Sequence, residues 1–343
     1  MHRHLGRERM TPPERPPTRV IGVDLGGTKL LAGLLDEQLQ VRRTVRRAVA
    51  GLTTDELLDT LVVAVDEVRE ASDEPVAAVG FGIPCLMDRR GGRAALAINL
   101  PLVDVPFREL MEERLDLPVD VDNDGNVAAL AEHRAGAAYG LDHVVLLTLG
   151  TGVGGGLILD GKPYRGANGA GAELGHLGID LDGPPCQGAC PARGCLETHA
   201  SGTALAREAR HAALAYPASA LGQEVADGRT PDGELVATLA RAGDAVARRV
   251  LEGVGRHLGA GIASLLNVFD PELVVIGGGL AAAGPLLLDP ARAEVARRVL
   301  PPLRERAPIV PAHFGGEAGL VGAGVLALEL VASDSHGPHR FRP

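Results

Sequence analysis

Apolar positions in this chain fall into short unbroken runs closed by glycine or acidic turns, alternating with longer stretches of helical spacing. The runs Val20–Leu25 and Leu30–Leu35 flank Gly26-Gly27 and end at Asp36, the pattern of strand, glycine turn, strand and acidic turn. The pattern returns. Val20 to Asp36 lines up without a gap on Val144 to Asp160, an offset of 124 residues, with Gly150 and Gly152 in the second turn. After the first copy Leu57, Leu58, Leu61, Val62, Val65 and Val68 keep one helical face apolar, behind a capping box of Thr53 and Glu56. Between the copies the pattern predicts a buried strand over Val76–Ile83, a helix over Phe107–Arg114, an alternating strand over Val119–Asn123 and a helix from Gly125 to about Gly136. Further on, helices are expected over Ala204–Leu214 and from Gly233 to about Leu265. The link between them, with Pro217, Gly222, Gly228 and Pro231, reads as surface loop. A short buried strand, Leu273–Ile276, leads to Gly277-Gly278-Gly279 opening a helix, and a last helix covers about Gly316 to Val331. Alternating strands and helices imply an α/β fold, and the duplication implies two similar lobes.

A chain of 343 residues can bury two cores without disulfides. Its net charge of −10 is spread along the sequence, which opposes nucleic acid and anionic membrane as partners. Residues 1 to 18, rich in arginine and proline, read as a disordered basic lead without the apolar core of a signal peptide, and 332 to 343 read as a polar tail. No segment offers about twenty uninterrupted apolar residues, so no membrane span is expected. Four cysteines, three of them clustered, suit a reducing cytoplasm.

The cluster lies between Glu173 and Glu197. His176 is followed by Cys186, Cys190 and Cys195 within a stretch dense in glycine and proline that forms neither a regular helix nor a central strand. One imidazole and three thiols make a closed tetrahedral zinc site, structural rather than catalytic; the plainer reading is a set of small buried thiols. A metal here would fix both flanking carboxylates in space.

Two glycine turns at equivalent places suggest a phosphate chain held from both sides, because glycine lets backbone amides approach an anion closely. Thr28 adds a hydroxyl and Asp24 can orient a hydrated magnesium, with Thr148 and Thr151 in comparable places in the second turn. Gly277–Gly279, between a strand and a helix start, suits a nucleotide's sugar or base. Tight hairpins alone would also explain the glycines. Gly150-Thr-Gly-Val-Gly-Gly155 satisfies the dinucleotide fingerprint, yet it runs into a strand where that motif opens a helix, and no P-loop pattern occurs.

Together, Asp24-Leu-Gly-Gly-Thr28, Asn123-Asp-Gly-Asn126, Gly150-Thr-Gly-Val-Gly154, Glu173-Leu-Gly-His176, Cys190-Pro-Ala-Arg-Gly-Cys-Leu-Glu197, Asp270-Pro271 with Gly277–Gly279, and Ala318-Gly-Leu-Val-Gly322 make the chain resemble the ROK sugar kinases, particularly the zinc-containing bacterial glucokinases. The resemblance implies a two-lobed, actin-like and ribonuclease H-like ATPase fold. Its lobes would be 19–124, completed by the helix 316–331, and 125–315, carrying the zinc loop 173–197. It implies Asp124 as the general base on a hexose 6-hydroxyl, with Asn123, Glu173, His176 and Glu197 as sugar contacts. Asp24, Gly26, Gly27, Thr28, Lys29, Thr151, Gly152, Gly278 and Gly279 would bind the nucleotide and its phosphates. His176, Cys186, Cys190 and Cys195 would hold structural Zn2+, and ATP would come with Mg2+. A plain helix N-cap is the other role open to Asp124. The chain departs from the family pattern with three residues, not one, between Cys186 and Cys190, with Gly125 for alanine, and with Cys85 for glycine. The longer loop is expected still to reach the metal.

The expected activity is glucose phosphorylation to glucose 6-phosphate in the cytoplasm, by a homodimer or higher homo-oligomer. N-acetylmannosamine, N-acetylglucosamine, fructose and allose stay open as substrates, as does polyphosphate as donor. A sugar-sensing ROK regulator is the alternative of another class. Its DNA-binding module needs room before the first glycine turn, where the sequence provides about twenty residues.

Overall fold

The computed structural model describes residues 18–88, 90–98, 100–304 and 306–334. Of the expected lead 1–18 and tail 332–343, residues 1–17 and 335–343 lie outside them, while residues 332–334 continue the last helix instead of starting the tail. The first lobe holds β1 (Arg19–Leu25), β2 (Lys29–Leu35), β3 (Val41–Ala48), α1 (Thr54–Glu70), β4 (Val76–Ile83), β5 (Cys85–Asp88), β6 (Arg93–Ala97), β7 (Val103–Val105), α2 (Phe107–Leu115) and β8 (Val119–Asn123). The chain continues through α3 (Asp124–Ala135), β9 (Val144–Leu149), β10 (Val153–Leu159), β11 (Lys162–Pro163), α4 (Glu197–Ala200), α5 (Gly202–Ala215), α6 (Ala220–Ala226), α7 (Gly233–Arg241), α8 (Ala245–Phe269), β12 (Leu273–Gly277), α9 (Pro285–Arg298), β13 (Ile309–Pro311) and α10 (Ala318–Asp334).

Two five-stranded sheets share one topology, β3-β2-β1-β4-β8 and β11-β10-β9-β12-β13, while β5, β6 and β7 form a small sheet of their own. In each large sheet an antiparallel hairpin starts the lobe and two parallel strands extend it on the other side. The sequence repeat is thus a repeat of folding units, with one adjustment. Leu25 pairs with Leu30 across a four-residue turn, whereas Leu149 pairs with Val153 across three residues, so no gapless offset superposes both strands of both hairpins.

Strand alternation assigns each face to a different core. Ile21, Val23 and Leu25 pack under α1 and α2, and Val145, Leu147 and Leu149 face α5, α7 and α8. The opposite faces, with Val20 and Ala78 from one sheet and Val144, Leu146 and Val275 from the other, meet a shared layer made of α3 and α10. Both sheets are covered on both sides, so their central strands carry apolar residues at nearly every position. α10 lies almost on the first sheet's backbone: a Cβ built on Gly22 or Gly80 would come within 2.3 Å of Leu320 O or 1.9 Å of Ala323 O. Among the described residues, Gly315–Ser333 is long and apolar enough to cross a membrane, and this is the helix packed against β1, β4 and α3.

The structure corrects two local expectations. The supposed loop after α5 contains α6, because Ser219 caps it through the Gly222 amide at 3.0 Å. The helix expected from Gly233 to Leu265 is two helices, broken where Gly243 takes φ +104° and Asp244 caps α8 through the Ala247 amide at 2.7 Å.

Candidate active site

β8 delivers the first candidate side chains. Asn123 caps α3, its Oδ1 accepting from the amides of Gly125 at 2.8 Å and Asn126 at 3.4 Å, while its Nδ2 donates to Cys85 O at 3.3 Å. Capping by Asn123 leaves Asp124 as the first helical residue, its Oδ1 2.9 Å from the Gly125 amide. Burial raises the Asp124 carboxyl above its ordinary range, against the lowering effect of nearby amides.

Asp24, at the end of β1, stands against the start of α10, where a Cβ built on Gly319 would be 2.4 Å from the Asp24 carboxyl carbon. Its pKa is pushed up to about 6, first by burial and then by the charge of Asp124, with Lys29 pulling the other way. The Glu173 carboxyl is also raised, mainly by burial; His176 opposes this, and Asp124 and Glu197 add to it. Asp24 and Glu173 thus both lie within electrostatic reach of Asp124, and Glu173 within reach of Glu197 as well.

Glu197 opens α4 and is wedged between two features. Its Oε2 accepts from the Val153 amide at 3.0 Å, in the space that a side chain on Gly152 would need. Its Oε1 lies 3.8 Å from Cys186 Sγ. His176 ends a short 3-10 turn, Leu174–His176, whose Gly175 presses on the Val153 backbone. His176 Nδ1 is 3.5 Å from Cys186 Sγ.

Donor atoms of His176, Cys186, Cys190 and Cys195 all lie within 4.8 Å of one another. Bridges Gly178–Cys195 and Pro185–Arg193 pin the loop, and Gly188 at φ +60° turns the three residues between Cys186 and Cys190. Burial and then the thiols of Cys195 and Cys190 push Cys186 up to about 12. One imidazole and three thiols converging in this way are the donor set of a closed tetrahedral zinc site, where binding the cation would displace the thiol protons.

The glycine turns are tight. Gly26 N donates to Lys29 O at 2.8 Å, and Gly150 N to Gly152 O at 2.9 Å. Thr28, Lys29 and Thr151 are exposed, and the Thr151 carbonyl accepts from Thr203 Oγ1 at 2.7 Å. Gly278, at φ +83°, lies on Leu149, the residue before the second turn, so the glycine triplet and that turn are neighbours. Gly279 faces open space.

One pair escapes sequence reasoning. Asp122, fully buried in β8, accepts from Arg165 Nε at 2.5 Å, Asn126 Nδ2 at 3.1 Å and the Asn123 amide at 2.8 Å. Arg165 comes from the other lobe, on the segment leading to Glu173. The ion pair therefore joins the strand end that carries Asn123 and Asp124 to the loop that carries Glu173 and His176. Forty-three residues separate the partners, so spacing gives no sign of it.

Two like sheets set face to face on a pair of shared helices, with chemistry at the carboxyl ends of their strands, are the architecture of actin-like, two-lobed ATPases. The chain belongs to the ROK family, whose sequence model matches residues 20–330. It is 38% identical to a glucokinase of Streptomyces coelicolor over 315 residues, 90% of this chain and 97% of that protein. A solved ROK family glucokinase from Streptomyces griseus, in complex with glucose and AMPPNP, superposes with a TM-score of 0.82 at 39% identity, covering 91% of this chain and 99% of that one. A solved ROK family transcriptional regulator, a homologue of the E. coli MLC protein, also gives 0.82, at 28% identity, covering 91% of this chain and 78% of that one.

Proposed function

We propose that this chain is an ATP-dependent hexose kinase that converts glucose to glucose 6-phosphate, with Asp124 as general base. The observation that carries the reading is the position of Asp124: beside the strand end, raised by burial, and in electrostatic reach of Asp24 and Glu173. Phosphoryl transfer needs an aligned nucleophile, a proton acceptor and charge stabilisation, with little covalent chemistry from the protein. The sugar hydroxyl gives its proton to Asp124 as its oxygen attacks the γ-phosphorus. The bond to the β–γ bridging oxygen breaks, and ADP leaves. A carboxylate of raised pKa is the better acceptor, provided that it is ionised at working pH.

Asn123, Glu173, His176 and Glu197 offer an amide, two carboxylates and an imidazole, groups that distinguish hydroxyl orientation on a hexose. Gly26, Gly27, Thr28 and Lys29 in one lobe and Thr151 and Gly152 in the other serve the phosphates, with Gly278 and Gly279 toward the nucleoside. Asp24, at the end of β1, would orient hydrated magnesium, which would neutralise phosphate charge when it accompanies ATP. His176, Cys186, Cys190 and Cys195 would hold zinc, which would fasten the loop between Glu173 and Glu197. The net charge of −10 and the reduced-thiol chemistry support a cytoplasmic enzyme acting on small molecules, with no nucleic acid or membrane partner. The family resemblance supports a homodimer or higher homo-oligomer.

The test is Mg-ATP-dependent ADP release across glucose, fructose, allose and N-acetylhexosamines, with Asp124→Asn in parallel. Turnover of glucose that collapses in the variant supports the kinase. Sugar binding without any turnover would leave a sensor in its place.

A further inference from the structure

The turn between Cys186 and Cys190 meets the opposite lobe at Gly188. Gly188 lies against Ile98, the residue after β6: a Cβ built on Gly188 would be 2.5 Å from Ile98 Cγ2 and 3.1 Å from its Cδ1. Gly188 has φ +60°, so a side chain there would be strained as well as obstructed. The glycine gives Ile98 a flat backbone surface, and Ile98, stiff at χ1, still leaves 51% of its surface exposed.

The place of this contact gives it a role. On the first lobe, Asn123 Nδ2 is bonded to Cys85 O, Cys85 pairs with Ala97 across β5 and β6, and Ile98 follows Ala97. On the second lobe, Gly188 stands two residues from Cys186, whose Sγ is 3.5 Å from His176 Nδ1 and 3.8 Å from Glu197 Oε1. The contact therefore spans the gap between the elements that carry Asn123 and Asp124 and those that carry His176 and Glu197.

From this we infer that Ile98 and Gly188 form an apolar wall across the sugar cleft, and that Ile98 is a specificity-determining residue that discriminates against hexoses with a bulky ring substituent. The inference rests on the hexose-kinase reading. Hydroxyl-bonding residues recognise what a sugar offers, whereas a wall rejects what it adds. The bridges Gly178–Cys195 and Pro185–Arg193 pin the loop on the wall's far side, and a stiff wall discriminates better than a mobile one.

The test compares wild type with Ile98→Ala and Ile98→Met on glucose, N-acetylglucosamine and N-acetylmannosamine. A few apolar carbons in a pocket govern roughly ten-fold or greater discrimination. Ile98→Ala is expected to lower the kcat/KM ratio of glucose to either N-acetylhexosamine about ten-fold, mainly through KM. Ile98→Met, which keeps the bulk, should stay near the wild-type ratio. The sugar-induced rise in Tm without ATP, read for the same sugars, should show the same relaxation independently of turnover. An unchanged ratio and unchanged sugar-induced shifts in Ile98→Ala would overturn the inference. So would a fall in kcat alike for every sugar. Wild-type silence on all sugars would remove the kinase reading alone, and the shifts in Tm would then decide whether the wall exists.

Discussion

Replacing Arg165 with methionine removes a guanidinium and keeps much of its stem. Asp122, with no side-chain exposure, would then lose its cation while remaining inside the protein; Arg165 itself is only 18% exposed. Removing one partner of a buried pair costs about 3–5 kcal/mol, because the other charge is left uncompensated. The pair Arg93–Asp104, with side chains 37% and 76% exposed, is the internal control, since exposed pairs contribute at most about 1 kcal/mol. Adding Asp122→Asn to Arg165→Met removes the stranded charge, so the double variant should regain about 2 kcal/mol of what the single one lost. The chain has no tryptophan, so urea unfolding is best followed by far-UV circular dichroism, with zinc and sugar held constant across variants. The reasoning is refuted if Arg165→Met costs no more than Arg93→Met, or if the effects at 122 and 165 simply add.

Other expectations follow from the same geometry. Asp124→Asn should lower kcat by about 10²–10⁴ while glucose binding, read by calorimetry, changes little; comparable losses in binding and rate would make Asp124 a structural residue. Asp24 titrates near 6 in the folded state, above its ordinary value, so its favourable contribution is complete below about pH 4 and is lost as pH rises through 6. Asp24→Asn should therefore melt higher than wild type at pH 7.5, by up to about 3 kcal/mol of stability, and alike at pH 4; a gain of equal size at both values would contradict this. Cys190→Ser should abolish zinc retention, measured by elemental analysis, and raise the glucose KM more than it lowers kcat. Retained zinc, or an unaffected KM in a zinc-free protein, would count against a role for the metal in placing Glu173 and Glu197.

Legibility in the sequence tracked how local the signal is. The hairpins β1–β2 and β9–β10 were readable because apolar runs, glycine turns and acidic turns lie within a few residues of each other. The Thr53–Glu56 box at the start of α1 needs no partner beyond its own turn. β3 was not read as a strand, because Arg42, Arg43, Arg46 and Arg47 mask its alternation; an edge strand tolerates such charge, as it meets only one neighbour. β5, β6 and β7 are too short to declare themselves. In β8, Asp120 and Asp122 look like the solvent side of an alternating strand, yet Asp122 is enclosed by a loop from the other lobe. The thiol cluster was readable as a group, but which surface its longer turn would meet depends on how the lobes close, and Ile98 carries no motif.

Among the described residues, the helix that covers the inner face of the first sheet comes last in chain order. Between Asn123, which completes that sheet, and Ala318, where its cover begins, the ribosome must add almost two hundred residues. At about 5–20 residues per second, that leaves Val20, Ala78 and their neighbours without α10 for roughly 10–40 s of synthesis. The first lobe can therefore begin to form early but is completed only after translation passes the end of the second. A nascent chain stalled in α9 would present an apolar sheet face, the kind of surface that chaperones bind and that aggregates grow from, so termination before α10 should yield an aggregation-prone fragment.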